Sequence, residues 1–284
     1  MRWGEFDWLL DAALAEDRAR EDVTTLALVP EERMARAVVR AGAAGVVCGL
    51  PLAHRLAERF DKRLRFEECT ADGERVRPGG AVARLEGPAA SILAVERPML
   101  NFLQRLSGIS TLTARYVEAV GGTEARVYDT RKTTPGWRAL EKWAVRCGGG
   151  CNHRMDLAEQ ALIKDNHLAL MGASRVRAAV ERVRGASPGV PVEVEVEDMA
   201  QLEEALSAGP DMILLDNMTP DEVRRAVEFV REKSAGARPQ VEASGGITLQ
   251  NVAAFARAGA DRISVGALTH SAPAFDLSLE VLPD

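Results

Sequence analysis

The sequence is poor in cysteine, in long apolar runs and in lysine, and the first two shortages each argue against a class of protein. Four cysteines in 284 residues do not make the disulfide framework of a small secreted protein, so a cytoplasmic location is expected. The N-terminal MRWGEFDWLL interrupts its apolar residues with acids, so we expect neither a secretory signal nor a membrane span. A formal net charge of −6 argues against a nucleic-acid-binding protein.

The shortage of lysine directs attention to one region of the chain. Only five of the 36 basic residues are lysines: Lys62, Lys132, Lys142, Lys164 and Lys233. A compact ammonium is not interchangeable with a guanidinium, so an arginine-rich chain keeps lysine where the chemistry requires it. Three of the five fall between residues 132 and 164, which makes this region a candidate site. Chance survival of a few lysines is an equally acceptable explanation.

The first part of the chain mixes helical and strand-like segments without a regular order, whereas the later part alternates them. ARAVVRA and GVVCG are typical of strands, and GPAASILAVERPMLNFLQRLSG is typical of a helix with a break or kink near Pro98. From about Arg126, short apolar runs alternate with amphipathic helices, and the last four recur roughly every 20 to 25 residues, as in βα units. The runs are ARVYDT, QALIKDN, PVEVEVE, DMILLDN, QVEASGG and RISVGAL.

A doubly wound sheet and a βα barrel both fit this alternation, and the residues at the strand ends favour the barrel. Each run finishes in a polar residue or a glycine. An open sheet concentrates its ligand at one switch point, whereas a barrel gathers groups from the C-terminal ends of all its strands. Polar groups on six strands therefore predict a barrel.

The segment VEVEVE gives the barrel an acidic inner face. Its three valines suit the outer side of the strand, where barrel helices pack, so Glu193, Glu195 and Glu197 are expected to point inward. Carboxylates in such a place need arginine, lysine or a metal ion beside them.

A cationic cluster in TRKTTPGWRALEKWAVRCGGGCNHR supplies such partners. Arg131 and Lys132 directly follow a strand, and His153 and Arg154 lie in a loop, so all four are expected at the barrel mouth. Arginine binds carboxylates and phosphates through two parallel hydrogen bonds. The helix that starts near Pro135 carries further cations at i, i+4 spacing, which favours ordinary surface charges. These are Arg138, Lys142 and Arg146.

Two glycine-containing turns near the C-terminus indicate a phosphate site. EASGGITLQN places Ser244, Gly245 and Gly246 between a strand and a helix, and ISVGALTHSAP places Gly266 after the next strand. In βα barrels, the loops after the last strands and a helix N-terminus commonly bind phosphate. A purely turn-forming role for these glycines is the alternative.

Two metal sites deserve comparison. Glu195 and Asp216 end neighbouring strands and suit one Mg²⁺, which takes few carboxylates and many water or phosphate oxygens. The alternative is an ion pair with Lys164 or Arg131. Zinc at CGGGCNH is disfavoured, because its two cysteines and one histidine have unusual spacing and no evident fourth ligand.

Taken together, these motifs resemble the quinolinate phosphoribosyltransferase family, also called nicotinate-nucleotide pyrophosphorylase (carboxylating). The resemblance covers nearly the whole chain. It rests on EDVTT, ERPMLNFLQRLSGIS, DTRKTTPGWRALEKWAVRCGGGCNHR, ALIKDNH, EVEVE, ILLDN, EASGGI and VGALTHS, in this order. It implies that quinolinate and phosphoribosyl pyrophosphate give nicotinate mononucleotide, pyrophosphate and CO₂, with Mg²⁺, in de novo NAD synthesis.

The resemblance also implies an architecture and an assembly. The expected fold is α/β, an incomplete βα (TIM-like) barrel at residues 109–269 with an N-terminal α/β sandwich domain at residues 1–108, joined by segment 270–284. A homodimer or an assembly of dimers is expected, in which Arg97 of ERPMLN acts in trans. Partners other than the small-molecule substrates, such as a nucleic acid or a membrane, are not expected.

The site residues implied by the resemblance fall into three groups. Quinolinate would be bound by Arg97, Arg131, His153, Arg154 and Lys164. Phosphoribosyl pyrophosphate would be bound by Lys132, Ser244, Gly245, Gly246, Gly266 and His270. The catalytic groups would be Lys132, Lys164, Glu195 and Asp216, with Glu195 and Asp216 also serving the ribose hydroxyls and the metal. Glu193 and Glu197 are left as ion-pair partners.

Three alternatives stay open. A non-decarboxylating nicotinate phosphoribosyltransferase of similar fold would use the same phosphate site. The pairing of Arg131 with His153 and Arg154, which suits a second carboxylate, argues against it. A molybdenum-transport-associated relative of the same fold is the second alternative, and a non-catalytic protein that binds a phosphorylated metabolite is the third. Binding alone does not call for acids, a basic cluster and a phosphate loop in one site.

Overall fold

The computed structural model describes residues 1–171, 176–234, 236 and 238–283. The chain forms two compact units. The first comprises Met1–Leu112, Arg146–Gly149 and Ala272–Asp284, and the second comprises Thr113–Val145 and Gly150–Ser271. Among the described residues, no helix has both the length and the apolar character needed to cross a bilayer.

The first unit is built on a four-stranded antiparallel sheet and a two-stranded ribbon. Its strands are β1 (Met34–Ala41), β2 (Gly45–Val46), β3 (Arg65–Glu68), β4 (Arg75–Val76), β5 (Ala81–Pro88) and β12 (Leu277–Leu282). The helices that begin in it are α1 (Asp7–Glu16), α2 (Val23–Leu28), α3 (Leu50–Phe60) and α4 (Ala89–Ala119). The sheet order is β12-β1-β5-β3, and β2 pairs with β4. The C-terminal strand thus pairs with the N-terminal part of the chain.

The long helix α4 continues through Pro98, where we predicted a break or kink. An internal proline costs about 3 kcal/mol because it removes one hydrogen bond and crowds the preceding turn. Val95, Met99 and Phe102 around it are almost completely buried. Each such side chain stabilises the folded state by about 1.5–3 kcal/mol, so the packing outweighs the proline.

The second unit is the incomplete βα barrel. Its strands are β6 (Arg126–Tyr128), β7 (Ala161–Ile163), β8 (Val192–Val196), β9 (Met212–Asp216), β10 (Gln240–Ser244) and β11 (Arg262–Ser264). Its helices are α5 (Arg138–Cys147), α6 (Asp165–Leu170), α7 (Val176–Ala186), α8 (Met199–Ala208), α9 (Pro220–Lys233), α10 (Val252–Arg257) and α11 (Ala267–His270). All pairings are parallel, in the order β6-β11-β10-β9-β8-β7. The six predicted runs are all strands, and the predicted fold class is confirmed.

Local sequence explains where the barrel helices begin. The Asp198 side chain accepts a hydrogen bond from the Gln201 backbone N–H and caps α8. Thr219 and Glu222 form a reciprocal capping box at α9, which has Pro220 as its first residue. These caps stop each strand and fix where the following helix starts, so the strand ends occupy defined positions.

The alternating strand β8 is buried on both faces. Val192, Val194 and Val196 are at most 1% exposed, as expected for the side that packs under helices. Glu193 is completely buried, while Glu195 is half-buried near the end of the strand. The strand therefore places one charge deep in the interior and one at a cavity.

Candidate active site

A cavity of about 400 Å³ lies at the C-terminal ends of the barrel strands. Ten predicted site residues line it: Arg131, Lys132, His153, Arg154, Lys164, Glu195, Asp216, Ser244, Gly245 and Gly246. They lie in or directly after the C-terminal ends of five of the six strands, or in the loop before β7. The barrel thus brings together groups that are up to 115 residues apart in the chain.

The remaining predicted residues lie outside the lining of this cavity. Gly266 and His270 belong to the segment beside Lys132: a Cβ at residue 266 would lie 3.1 Å from His270 Nε2 and 3.2 Å from Lys132 Cδ. The Thr269 hydroxyl donates to the Lys132 carbonyl at 2.8 Å. Arg97 is exposed on α4 and belongs to the first unit.

Two arginines at the cavity could bind an anion. Arg131 Nε is buried and has no hydrogen-bond partner among the described residues. Arg154 is 9% exposed, and its Nη1 donates to the Gln160 carbonyl at 2.7 Å. Burial, and then the like charge of Arg131, lower the pKa of Arg154. Two guanidiniums that repel each other beside a cavity, one with an orphaned donor, favour a bound carboxylate or phosphate.

The acids at the cavity include the predicted ion pair. Lys164 Nζ contacts Glu195 Oε2, and the side chains are 41% and 12% exposed. Asp216, at the end of the next strand, accepts a hydrogen bond from Asn217 Nδ2 at 2.7 Å. Glu197 lies beyond the strand and is exposed, and its pairing with a cation stays a prediction.

Glu195 and Asp216 offer the kind of ligands that a magnesium ion takes. Two carboxylates on neighbouring strands leave coordination positions for water and phosphate, which is how Mg²⁺ is commonly held. The disfavoured zinc grouping does not form within the described residues. Cys147 lies near Cys48 and Asp72 instead, while His153 lies near Glu193 and Glu242.

The turn after β10 needs glycine at its centre. Gly245 has φ +90°, and a Cβ there would lie 2.2 Å from Asn217 Oδ1 and 2.8 Å from the Asn217 nitrogen. Asn217 itself has φ +56°, and its N–H donates to the Ser244 carbonyl at 2.9 Å. Only a residue without a side chain allows this approach, so the two loops hold bare backbone at the cavity.

Lys142 is buried, although the helical spacing of the cations on α5 favoured a surface charge. It is 1% exposed, and its Nζ contacts the completely buried carboxylate of Asp129. Nζ also donates to the His153 carbonyl at 2.8 Å, while Asp129 accepts from the His153 N–H at 2.9 Å. The pair therefore holds the backbone that carries His153. The surface interpretation was wrong because the partner carboxylate lies on another element.

A second buried network forms part of the cavity wall, since His153, Glu242 and Ser264 line the cavity, and the sequence had indicated only part of it. His153 Nε2 lies 3.2 Å from Glu193 Oε2 and 3.4 Å from Glu242 Oε1. Glu242 also accepts hydrogen bonds from Arg262 Nε at 2.6 Å and from the Ser264 hydroxyl. The predicted ion pairing of Glu193 is consistent with this contact. The sequence did not indicate Glu242, because it lies in the middle of QVEAS and site residues were predicted at the strand ends.

Burial and charge act against each other in this network. Burial alone disfavours a charged His153, but the hydrogen bonds and charges of Glu193 and Glu242 raise its pKa to about 9. Burial, together with the charge of Glu242, raises the pKa of Glu193. Burial also opposes ionisation of Glu242, yet His153, Arg262 and Ser264 lower its pKa overall. Glu242 is thus the fixed negative charge of the network.

Comparison with known proteins places both units in one family. The model of the quinolinate phosphoribosyl transferase N-terminal domain matches residues 22–107, and that of the C-terminal domain matches residues 109–280. The probable nicotinate-nucleotide pyrophosphorylase [carboxylating] of Bacillus subtilis is 40% identical over 273 residues, which cover 96% of this chain and 92% of that protein. The nicotinate-nucleotide pyrophosphorylase [carboxylating] of Mycobacterium leprae is 41% identical over 283 residues and 98% of each chain.

Solved structures agree with the sequence matches. The nicotinate-nucleotide pyrophosphorylase of Francisella tularensis superimposes with a TM-score of 0.91 at 34% identity, covering 99% of this chain and 98% of that one. Both family models, relatives matched over nearly their full length and a solved structure thus point to one assignment. The chain belongs to the quinolinate phosphoribosyl transferase family.

Proposed function

We propose that this chain is a carboxylating nicotinate-nucleotide pyrophosphorylase, an enzyme of NAD biosynthesis. It would convert quinolinate and phosphoribosyl pyrophosphate into nicotinate mononucleotide, pyrophosphate and CO₂. The observation that carries the proposal is the pair Arg131 and Arg154, beside a cavity that also holds two acids and a glycine turn. The names of the relatives from Bacillus subtilis and Mycobacterium leprae state the carboxylating activity of those proteins.

The arginine side of the cavity would bind quinolinate. Arg131 and Arg154 offer guanidiniums to its two carboxylates, and Lys164 adds an ammonium beside them. The orphaned Arg131 Nε supports this role, because a buried donor without a partner costs about 1–3 kcal/mol until a ligand satisfies it. Arg97 of a second copy would complete the site in a homodimer or an assembly of dimers, with residues 1–108 and 270–284 forming the domain that supplies it.

The glycine side of the cavity would bind phosphoribosyl pyrophosphate. The Ser244–Gly246 turn brings backbone close to the ligand, as phosphate-binding turns do. Lys132, with Gly266 and His270 next to it, would contact the phosphate end. Glu195 and Asp216 would serve the ribose hydroxyls and hold Mg²⁺. Bound there, Mg²⁺ would neutralise charge on the leaving pyrophosphate.

The chemistry needs positioning and fixed charge more than a protein nucleophile. The pyridine nitrogen of quinolinate attacks the ribose carbon as the bond to pyrophosphate breaks. The carboxylates of Glu195 and Asp216 would stabilise the positive charge that develops on the ribose. The product pyridinium withdraws electrons from C2, which assists loss of the C2 carboxylate as CO₂, and the carbanion left at C2 takes a proton from water. Arg131 and Arg154 would hold the ring in the geometry for both steps.

A substrate assay tests the proposal. Purified protein is expected to consume quinolinate and form nicotinate mononucleotide only when phosphoribosyl pyrophosphate and Mg²⁺ are both present. Turnover of nicotinate without turnover of quinolinate would identify a non-decarboxylating enzyme and reject the proposal. Nucleotide binding by calorimetry without any turnover would reject it in favour of a binding protein. The names of the relatives include the carboxylating activity, which argues against both of these outcomes.

The two glycines of the phosphate turn give a matched pair of variants. Gly245→Ala is expected to raise KM for phosphoribosyl pyrophosphate at least tenfold, because the new Cβ collides with Asn217. Gly246→Ala has a similar positive φ, +60°, but its Cβ meets nothing within 4 Å, so it carries only backbone strain of about 1–3 kcal/mol. Steady-state kinetics compare the two. Equal KM values would show that the close approach to Asn217 does not shape the phosphate site.

A further inference from the structure

We propose that His153, Glu193 and Gln160 are positioning residues that fix the Arg154 guanidinium for a substrate carboxylate, and that the His153 ring nitrogens do not contact the substrate. This inference rests on the proposed function, because it assigns the carboxylate of quinolinate to Arg154. It changes the role that the family resemblance gave to His153, from substrate ligand to support of its neighbour.

The four residues form a closed ring of contacts. The backbone N–H of Arg154 donates to His153 Nδ1 at 2.8 Å, and His153 Nε2 lies 3.2 Å from Glu193 Oε2. Gln160 Nε2 donates to the same Glu193 oxygen at 2.7 Å. Arg154 Nη1 then donates to the Gln160 carbonyl at 2.7 Å and closes the ring. All four residues are at least nine-tenths buried, so water does not compete for these contacts.

Both nitrogens of the His153 ring are used inside the protein. Nε2 faces two carboxylates, Glu193 and Glu242, and therefore carries the proton. Nδ1 accepts from a backbone N–H and has to be unprotonated to do so. The two carboxylates favour a charged ring, whereas the backbone donor favours the neutral one. The raised pKa of the ring reflects the two carboxylates, whereas the 2.8 Å hydrogen bond from the Arg154 backbone N–H leaves no place for a second proton on Nδ1, so in the arrangement observed the single proton is on Nε2.

The closed ring of contacts determines which guanidinium N–H groups of Arg154 remain available to bind a ligand. Nη1 is taken by the Gln160 carbonyl, which sets the plane of the guanidinium. Nε and Nη2 make no hydrogen bond to any described residue, and the side chain lines the cavity beside Arg131. Those two donors form one edge of the guanidinium, the edge that binds a carboxylate through two parallel bonds. The buried ring thus presents that edge to the cavity.

The kinetic test changes Gln160, the member of the ring of contacts chosen because it does not line the cavity. Gln160→Met keeps the volume of the side chain but removes its hydrogen bond to Glu193. It is expected to raise KM for quinolinate about 10- to 100-fold, the effect of a misplacement of about 1 Å, and to leave KM for phosphoribosyl pyrophosphate within threefold. Gln104→Met is the matched control, because it removes a 2.9 Å hydrogen bond to the Leu277 carbonyl in the first unit. It is expected to leave both KM values unchanged.

A spectroscopic test examines His153 without using turnover. The protein has four histidines, and ¹⁵N-histidine labelling with a His153→Gln variant for assignment isolates the signals of His153. We expect a protonated Nε2, an unprotonated Nδ1, and no change in either nitrogen when quinolinate is added. A protonated Nδ1, or nitrogen shifts that respond to quinolinate, would overturn the inference even in a fully active enzyme. Equal changes in both KM values for Gln160→Met would also overturn it, whereas an inactive wild-type protein would instead reject the proposed function.

Discussion

Replacement of Lys164 by alanine is expected to lower kcat/KM for quinolinate by roughly 10²- to 10³-fold, the usual effect of losing one charge-stabilising group from an active site. Lys164 Nζ contacts Glu195, whose side chain is only 12% exposed, and both line the cavity. The variant removes a cation from the position where two polyanionic substrates have to meet. It also leaves the Glu195 carboxylate without its partner, so the cavity gains net negative charge against those anions.

Lys132→Ala is expected to show a comparable loss, and two other lysines serve as controls. Lys62 and Lys233 are exposed, and Lys233 only approaches the Phe229 ring at 5.7 Å. Alanine at either position is expected to leave steady-state kinetics unchanged. Similar losses at all four positions would mean that the clustering of lysines between residues 132 and 164 has no connection with catalysis.

Most of the cavity could be predicted because its residues occupy ends of strands. A strand places alternate side chains on opposite faces, and a βα barrel collects the C-terminal ends of its strands in one place. Arg131, Lys164 and Asp216 each come directly after or at the end of an apolar run. Their positions in the sequence therefore fixed their positions in space. Arginines and acids gathered in this way indicated an anionic substrate before any comparison with relatives.

The residues that support the wall of the cavity could not be predicted in the same way. Glu242 lies in mid-strand, and its contacts reach Arg262 on the next strand and His153 in a loop 89 positions earlier. Such pairs depend on which strands are neighbours. The order β6-β11-β10 is a property of the folded barrel and cannot be read from the order of the strands along the chain. The inward alternation that drew attention to Glu195 in β8 also exists in β10. It passed unnoticed because β10 carries a single acid.

Helix α5 shows why charge spacing alone misjudges burial. The cations at 138, 142 and 146 share one side of the helix by i, i+4 spacing, which usually marks a solvated face. In the structure Arg146 is exposed, but Lys142 is buried together with its neighbour Glu141. Glu141 accepts hydrogen bonds from the backbone and hydroxyl of Thr134. Partners supplied by the preceding loop thus let two adjacent charges enter the interior.

That burial leads to the largest stability effect we expect. Lys142→Met should lower the free energy of unfolding by about 3–5 kcal/mol, because breaking a buried ion pair leaves its partner uncompensated. Asp129 is completely buried and, among the described residues, keeps only the Asn152 amide, at 2.6 Å, and the His153 N–H. Burial raises the pKa of Asp129, and Lys142 opposes that rise through its charge and hydrogen bond. Denaturant titration with linear extrapolation measures the change.

Two further variants separate the ion pair from the loss of a lysine as such. Arg146→Met removes an exposed cation one turn later on α5 and should change stability by no more than about 0.5 kcal/mol. Adding Asp129→Asn to Lys142→Met should recover part of the loss, since an amide does not carry the buried charge. The loss in Lys142→Met should also shrink at acidic pH, where Asp129, no longer held ionised by the lysine, binds a proton. A loss that is independent of pH and not relieved by Asp129→Asn would mean that Lys142 contributes packing volume rather than charge.

If charge does carry the effect, the Asp129–Lys142 pair connects stability to activity, because both members hold the backbone of His153 and thereby the buried ring of contacts that orients Arg154.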